Sequence, residues 1–232
     1  MAKRRRRRKR GRKRGRGLLV FSLAALLAVF VGIRLHVRSD TDGHEEKYED
    51  SSSADSAYWY GCPEIDAQLL TPNSYSRPQI ELKEVNAIVI HYTANPGSTA
   101  QENRDYFEGL RDSHVTKASA HFIVGLKGEV IQLIPTREMA YANNPRNHDT
   151  ISIECCHPDD TGKFSDRTYA SVVKLTAWLC RAKGLSPDEV IRHYDVSGKD
   201  CPKYYVEHED AWEAMKADIG TRYEELASSQ AS

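Results

Sequence analysis

The chain has no acidic residue before Asp40, although it carries 33 in all. Positions 1–38 hold 14 lysines and arginines unopposed, which leaves 33 − 14 = 19 basic against 33 acidic side chains, a balance of −14, for the rest. The formal net charge of +0 is therefore the sum of two opposite parts and excludes no class of partner. Also missing is an apolar run of the ~20 residues that span a bilayer core comfortably. The greasy segment at 18–33, LLVFSLAALLAVFVGI, has 16. No small-residue cleavage site follows it, since the next residues are RLHVRSD. Nor do the five cysteines supply a pair of CxxC motifs, and no segment repeats. These absences argue against a cleaved signal, a structural zinc ribbon and a repeat array.

What the N-terminus does contain is a basic block at 3–17 running straight into the apolar segment. Alone, the arginines suggest nucleic acid or a nuclear address. Abutting an apolar run, they have a simpler job, because positive flanks stay on the cytoplasmic side. Leu35 and Val37 extend the run, and Arg34 and Arg38 can snorkel to the far interface. The expectation is a basic cytoplasmic segment at 1–17 and an uncleaved signal-anchor transmembrane helix at 18–37. Everything beyond then lies on the extracytoplasmic side, with secretion after signal cleavage as the alternative and no nucleic acid as partner. Residues 38–57 are acidic and serine-rich with almost no aliphatic side chains, too little apolar surface to fold, and read as a disordered linker. Residues 58–232 have the composition of one globular domain.

Within that domain NAIVIHY, 86–92, is too short and too continuously apolar for a surface helix and is expected as a buried strand ending at His91. Thr99 and Glu102 have capping-box spacing before a helix to about Leu110, with Tyr106, Phe107 and Leu110 on one side. Residues 121–134 read as two strands around Gly125 to Gly128, a hairpin. ISIEC, 151–155, is another short strand and carries Glu154. Helical spacing of apolar residues and the stop signal at Gly184 define a helix over 166–183. Ser186 and Glu189 form a second capping box, with Pro187 at the first helical position, leading into VIRHYD. A last helix is expected over about 207–219. Strands interleaved with helices predict an α/β fold with helices on the faces of the sheet.

The chemistry-bearing residues converge on HYDVSGKDC, 193–201, which supplies His193, Lys199 and Cys201. Taken alone, His91 or His193 is more often a hydrogen-bonded core or rim histidine than a ligand, and Cys201 more often a small buried hydrophobe. Together they are three ligands for Zn²⁺, one short of a closed tetrahedron, which is how a catalytic zinc keeps a position for water. Glu154, beside Ile151 and Ile153 on an interior strand, is a costly carboxylate unless it serves as a general base or pairs with a cation. Lys199 is either an exposed turn lysine or a fixed positive charge beside the metal. Cys62, Cys155, Cys156 and Cys180 remain, and their pairing cannot be read from spacing. Cys180, on the apolar helix face, is expected in the core.

AIVIHYTAN, AHFIV, SIEC and HYDVSGKDCP, in this order and spacing, resemble the zinc N-acetylmuramoyl-L-alanine amidases of the amidase-2 and peptidoglycan-recognition-protein family, across about 87–205. The resemblance implies a central mixed β-sheet packed by three helices, with one Zn²⁺ in a groove held by His91, His193 and Cys201. It implies Glu154 as the catalytic acid/base and Lys199 as stabiliser of the oxyanion, where one lost donor often costs about 3 kcal/mol. The scissile bond would be the amide between N-acetylmuramic acid and L-alanine of the peptidoglycan stem peptide. One departure stands out: some members carry a catalytic tyrosine where this chain has Ala120, which leaves the work to Glu154. His121 is expected to line the cleft, and Asn143, Asn144, Arg146 and Asn147 to grip sugar or peptide. Two other readings compete: a non-catalytic peptidoglycan-binding module on the same scaffold, and a Cys/His hydrolase using Cys201 or Cys155 as nucleophile.

Overall fold

AIVI at 87–90 has no polar alternation, so a strand built from it must be covered on both faces. The computed structural model, which describes residues 59–230, places it at the heart of one sheet. Its strands are β1 (Asp66–Ala67), β2 (Ala87–Tyr92), β3 (Phe122–Val124), β4 (Val130–Gln132), β5 (Thr150–Cys155) and β6 (Val190–Arg192). Their spatial order is β1-β4-β3-β5-β2-β6. β3 and β4 form the antiparallel hairpin expected around Gly125 to Gly128, and the other neighbouring pairs are parallel.

Alternation along β2 and β5 sends Ile88, Ile90, Ile151 and Ile153 to one face. There they pack with Val172, Leu175 and Leu179 of α2 (Asp166–Lys183) and Trp212, Met215 and Ile219 of α5 (Glu209–Gln230). On the other face Ile123, Ile131 and Leu133 pack with Phe107 and Leu110 of α1 (Ala100–Ser113). Three long helices thus clothe a mixed sheet, and His91 and Glu154 point away from the α2/α5 side. Both α1 and α2 start and stop where side-chain chemistry dictates. Thr99 and Glu102 cap α1 reciprocally, Ser165 caps α2, and Gly184 ends α2 with a left-handed φ of 68°.

Three expectations are corrected. Tyr106 is 53 % exposed; the buried stripe of α1 runs Ala100, Asn103, Phe107, Leu110, and Tyr106 sits one residue, about 100°, off it. The Ser186–Glu189 capping box exists, but it caps only a 3₁₀ turn at Pro187–Glu189. VIR then extends as β6, because Val190 and Ile191 gain a ladder against Ile88 and Val89 that a helix would forgo. The last helix is also longer than expected, and two short helices precede it: α3 (His193–Ser197) and α4 (Lys203–Glu207). Cys180 is fully buried in the core as expected.

Among the described residues no helix is long and apolar enough to cross a membrane. The basic segment at 1–17, the anchor at 18–37 and the linker at 38–57 lie outside them.

Candidate metal centre

Two parallel strands set the first half of the site. In the β2–β5 ladder His91 lies directly opposite Glu154, so the two side chains leave the sheet on the same face, side by side. β6 sets the other half, since its last residue, Arg192, pairs with Ile90 and the chain turns at once into α3 with His193. Arg192 holds that turn. Its guanidinium meets Asp195 at 3.0 Å, Glu209 at 2.6 Å and the Tyr205 carbonyl at 2.9 Å, a fork of bonds that lysine cannot reproduce. Gly198 then reverses the chain with φ 73°, a conformation natural to glycine. The Tyr194 N–H donates to the Cys201 carbonyl at 2.9 Å, which folds the 193–201 segment back on itself.

His91, His193 and Cys201 consequently offer ligand atoms that all lie within 4.8 Å of one another. Cys201 Sγ is 3.7 Å from His91 Nδ1, and a tetrahedral zinc with Zn–S of about 2.3 Å and Zn–N of about 2.0 Å separates S from N by about 3.5 Å. The His193 Nδ1 is buried without a hydrogen-bond partner, a lone pair with nothing to satisfy it but a cation or water.

The electrostatics suit the same guest. Burial pushes the His91 imidazole down to about 3, helped by His193 and Lys199, against the hydrogen bond it makes to Asn143 Oδ1. Burial and the charge of Lys199 also lower His193. Both rings are neutral at pH 7, the form that ligates metal. Burial pushes the Cys201 thiol up to about 12, with Glu154 adding to it and a Tyr92 backbone hydrogen bond and Lys199 opposing it. Glu154 is pushed up to about 8 by burial and drawn back by Lys199. Its Oε1 lies 4.0 Å from His91 Nδ1, yet neither group is charged at pH 7, so this is no ion pair. Glu154 Oε2 is shielded and unpartnered. A thiol and a carboxyl kept from ionising by their surroundings are what a divalent cation would reverse. The residues therefore fit Zn²⁺, and His91, His193 and Cys201 are those that could hold it.

Lys199 is exposed but near enough for its charge to lower His91, His193, Glu154 and Cys201. The competing reading of a nucleophilic cysteine has no support, because such a thiol needs a lowered pKa. Cys201 is raised, and Cys155 is raised well above its ordinary value by burial in the core.

Two substrate-contact expectations are corrected by burial. His121 has no exposed surface. Its Nε2–H donates to the Glu138 carbonyl at 2.9 Å and its Nδ1 accepts from the Ser152 N–H at 3.0 Å, so it ties β5 to the loop after β4 and does not line a cleft. Asn143 is 1 % exposed and lies beneath His91, with its Oδ1 2.5 Å from Nε2. Asn147 holds that loop from within, its Oδ1 accepting the N–H groups of Ala142 and Asn143. Asn144 is exposed, and Arg146, paired with Asp149 at 2.6 Å, keeps 34 % of its side chain exposed. Sequence reasoning missed Thr150, Arg192 and the Tyr92 backbone as supports of the site. Only Arg192, a cation at the end of an apolar run beside His193, left a trace that could have been read.

His121 carries a testable consequence. Burial holds its pKa down to about 4, below the ~6.5 of a free imidazole, so on acidification the unfolded chain takes up the proton first. Its contribution to stability is complete above about pH 6.5 and is lost as pH falls toward about 4, a change of about 3 kcal/mol. Denaturant midpoints at pH 7 and pH 4.5 should diverge for the natural chain and diverge less for His121→Asn. Equal divergence in both would remove His121 as a source of acid lability.

The comparisons with known proteins agree with this geometry. A family model described as N-acetylmuramoyl-L-alanine amidase matches residues 81–204. The N-acetylmuramoyl-L-alanine amidase CwlL of Bacillus licheniformis is 39 % identical over 147 residues, covering 58 % of this chain and 40 % of the relative. The N-acetylmuramoyl-L-alanine amidase BlyA of Bacillus subtilis (strain 168) is 33 % identical over 181 residues, covering 69 % of this chain and 48 % of the relative. The chain thus spans less than half the length of these curated relatives. Among solved structures, PlyL superposes with a TM-score of 0.60 at 25 % identity, over 69 % of this chain and 99 % of that one. The catalytic domain of XlyA gives a TM-score of 0.57 at 26 % identity, over 68 % and 100 %.

Proposed function

Because the chain belongs to the N-acetylmuramoyl-L-alanine amidase family, matched across residues 81–204, we propose that it hydrolyses the amide between N-acetylmuramic acid and L-alanine in peptidoglycan, with zinc held by His91, His193 and Cys201. The observation that carries this reading is the juxtaposition of two things. Three ligand atoms lie within 4.8 Å of one another, and the Glu154 carboxylate sits in register beside the first of them. Bound there, zinc supplies a Lewis acid and lowers the pKa of water from about 15.7 toward about 7.

The chain's own residues do the rest. Glu154 Oε2, shielded and unpartnered, is free to take the proton of the attacking water and return it to the departing L-alanine amine. Lys199 places a positive charge beside the oxygen on which negative charge develops. Asn144 is exposed and Arg146 partly so, which leaves both with surface for the sugar or stem peptide. A non-catalytic binding module needs none of Cys201, Glu154 and Lys199, so their presence together favours the enzyme. Release of stem peptides from purified walls, with and without chelator, tests the proposal. Zinc uptake without release on several wall types would leave only binding.

The site would face the wall if residues 18–37 anchor the chain with 1–17 in the cytoplasm, as the charge distribution suggests. The full chain is then expected in the carbonate-washed membrane pellet, and a chain lacking 1–38 in the supernatant. Recovery of both in the supernatant would rule the anchor out.

A further inference from the structure

His91 can ligate through Nδ1 only if its proton resides on Nε2, and a buried imidazole does not choose that tautomer unaided. The loop before β5 supplies the choice. Thr150 Oγ1 donates to the Arg146 carbonyl at 2.5 Å, so its hydroxyl can only accept from Asn143, whose Nδ2 lies 2.8 Å away. The amide of Asn143 is thereby oriented with its NH₂ toward Thr150 and its Oδ1 toward His91. That oxygen, 2.5 Å from Nε2, accepts the Nε2–H and leaves the Nδ1 lone pair facing Cys201 Sγ. The Asn143 backbone is pinned in turn, its N–H donating to Asn147 Oδ1 at 2.6 Å.

We propose that Asn143 is a positioning residue for His91: its amide, locked by Thr150, fixes the Nε2–H tautomer that presents Nδ1 to the metal. This rests on the reading of His91 as a zinc ligand. Outer partners of metal-bound histidines fix the ring's orientation and proton, and their loss commonly costs 10- to 100-fold in metal affinity. An amide does so here without adding charge to a pocket that already encloses Cys201 and Glu154.

The test measures zinc affinity by chelator competition and reads the His91 tautomer from long-range ¹H–¹⁵N correlations in the metal-free full chain. Asn143→Leu, similar in volume, is expected to bind zinc about 10- to 100-fold more weakly and to show His91 as a mixture of tautomers. Asn143→Asp keeps an acceptor and should restore both the single tautomer and the affinity. Thr150→Val, which frees the amide to flip, should fall between them and serves if Asn143→Leu does not fold. Natural-like affinity together with an unmixed Nε2–H signal in Asn143→Leu, or in Thr150→Val if that variant must stand in, would overturn the proposal. Because the tautomer is read without metal, it separates failure of this inference from failure of the zinc reading, which a natural chain that takes up no zinc would reveal.

Discussion

Glu154→Gln is expected to lower kcat about 10²- to 10⁴-fold, the range for losing a positioned general acid–base, while zinc content and KM stay near those of the natural chain. Glutamine has the shape of glutamate and can occupy the same place opposite His91 in the β2–β5 ladder. What it cannot do is hold and return a proton. The carboxyl is built for that task, with Oε2 shielded and unpartnered and the group pushed up to about 8 by burial while Lys199 draws it back. Burial outweighs Lys199, and a value of about 8 keeps both protonation states within reach near neutrality. Retention of more than about a tenth of the activity, against an expected loss of at least about 100-fold, would remove Glu154 from the chemistry.

Cys201→Ala is expected to weaken zinc binding beyond the ~100-fold at the upper end for outer partners, because it removes a ligand, and to abolish activity with it. Thiolate is the softest donor of the three and its loss leaves two imidazoles, too few for a catalytic zinc. The thiol, pushed up to about 12, is stable as a thiolate only beside a cation, so metal binding should release its proton. Cys155→Ala is the control. Cys155 lies in the core on the α2/α5 side, and its loss should leave zinc uptake unchanged. Zinc bound at full affinity by Cys201→Ala would contradict the ligand assignment, and full activity in it would contradict metal catalysis altogether.

Much of the site was legible because strand chemistry made it so. An apolar run that ends in His91 and another that carries Glu154 are conspicuous, since polar groups on buried strands are expensive. The spacing of His193, Gly198 and Cys201 marked a turn that brings two donors together. What stayed hidden depended on packing between distant segments. YANNPRNHD reads as a solvent loop, and nothing in its composition tells Asn143, buried under His91, from Asn144, which is exposed. His121 is expected in the cleft from the family resemblance, but its partners Ser152 and Glu138 lie 31 and 17 residues away. The Ser186–Glu189 box is legible as a cap, but that the helix it opens ends before Val190 is not. A 3₁₀ turn satisfies the same hydrogen bonds, and the ladder beside Ile88 decided the rest.

On the proposed reading this chain cuts a peptidoglycan amide with one zinc at His91, His193 and Cys201. Titrating zinc into the chelator-stripped full chain, with purified peptidoglycan as substrate, tests it most directly by counting new L-alanine amino termini. Release should be absent without metal and rise to a plateau at one equivalent of zinc, with no new reducing sugar. Undiminished release in the stripped protein, or a full equivalent of bound zinc with no new L-alanine termini, would contradict it.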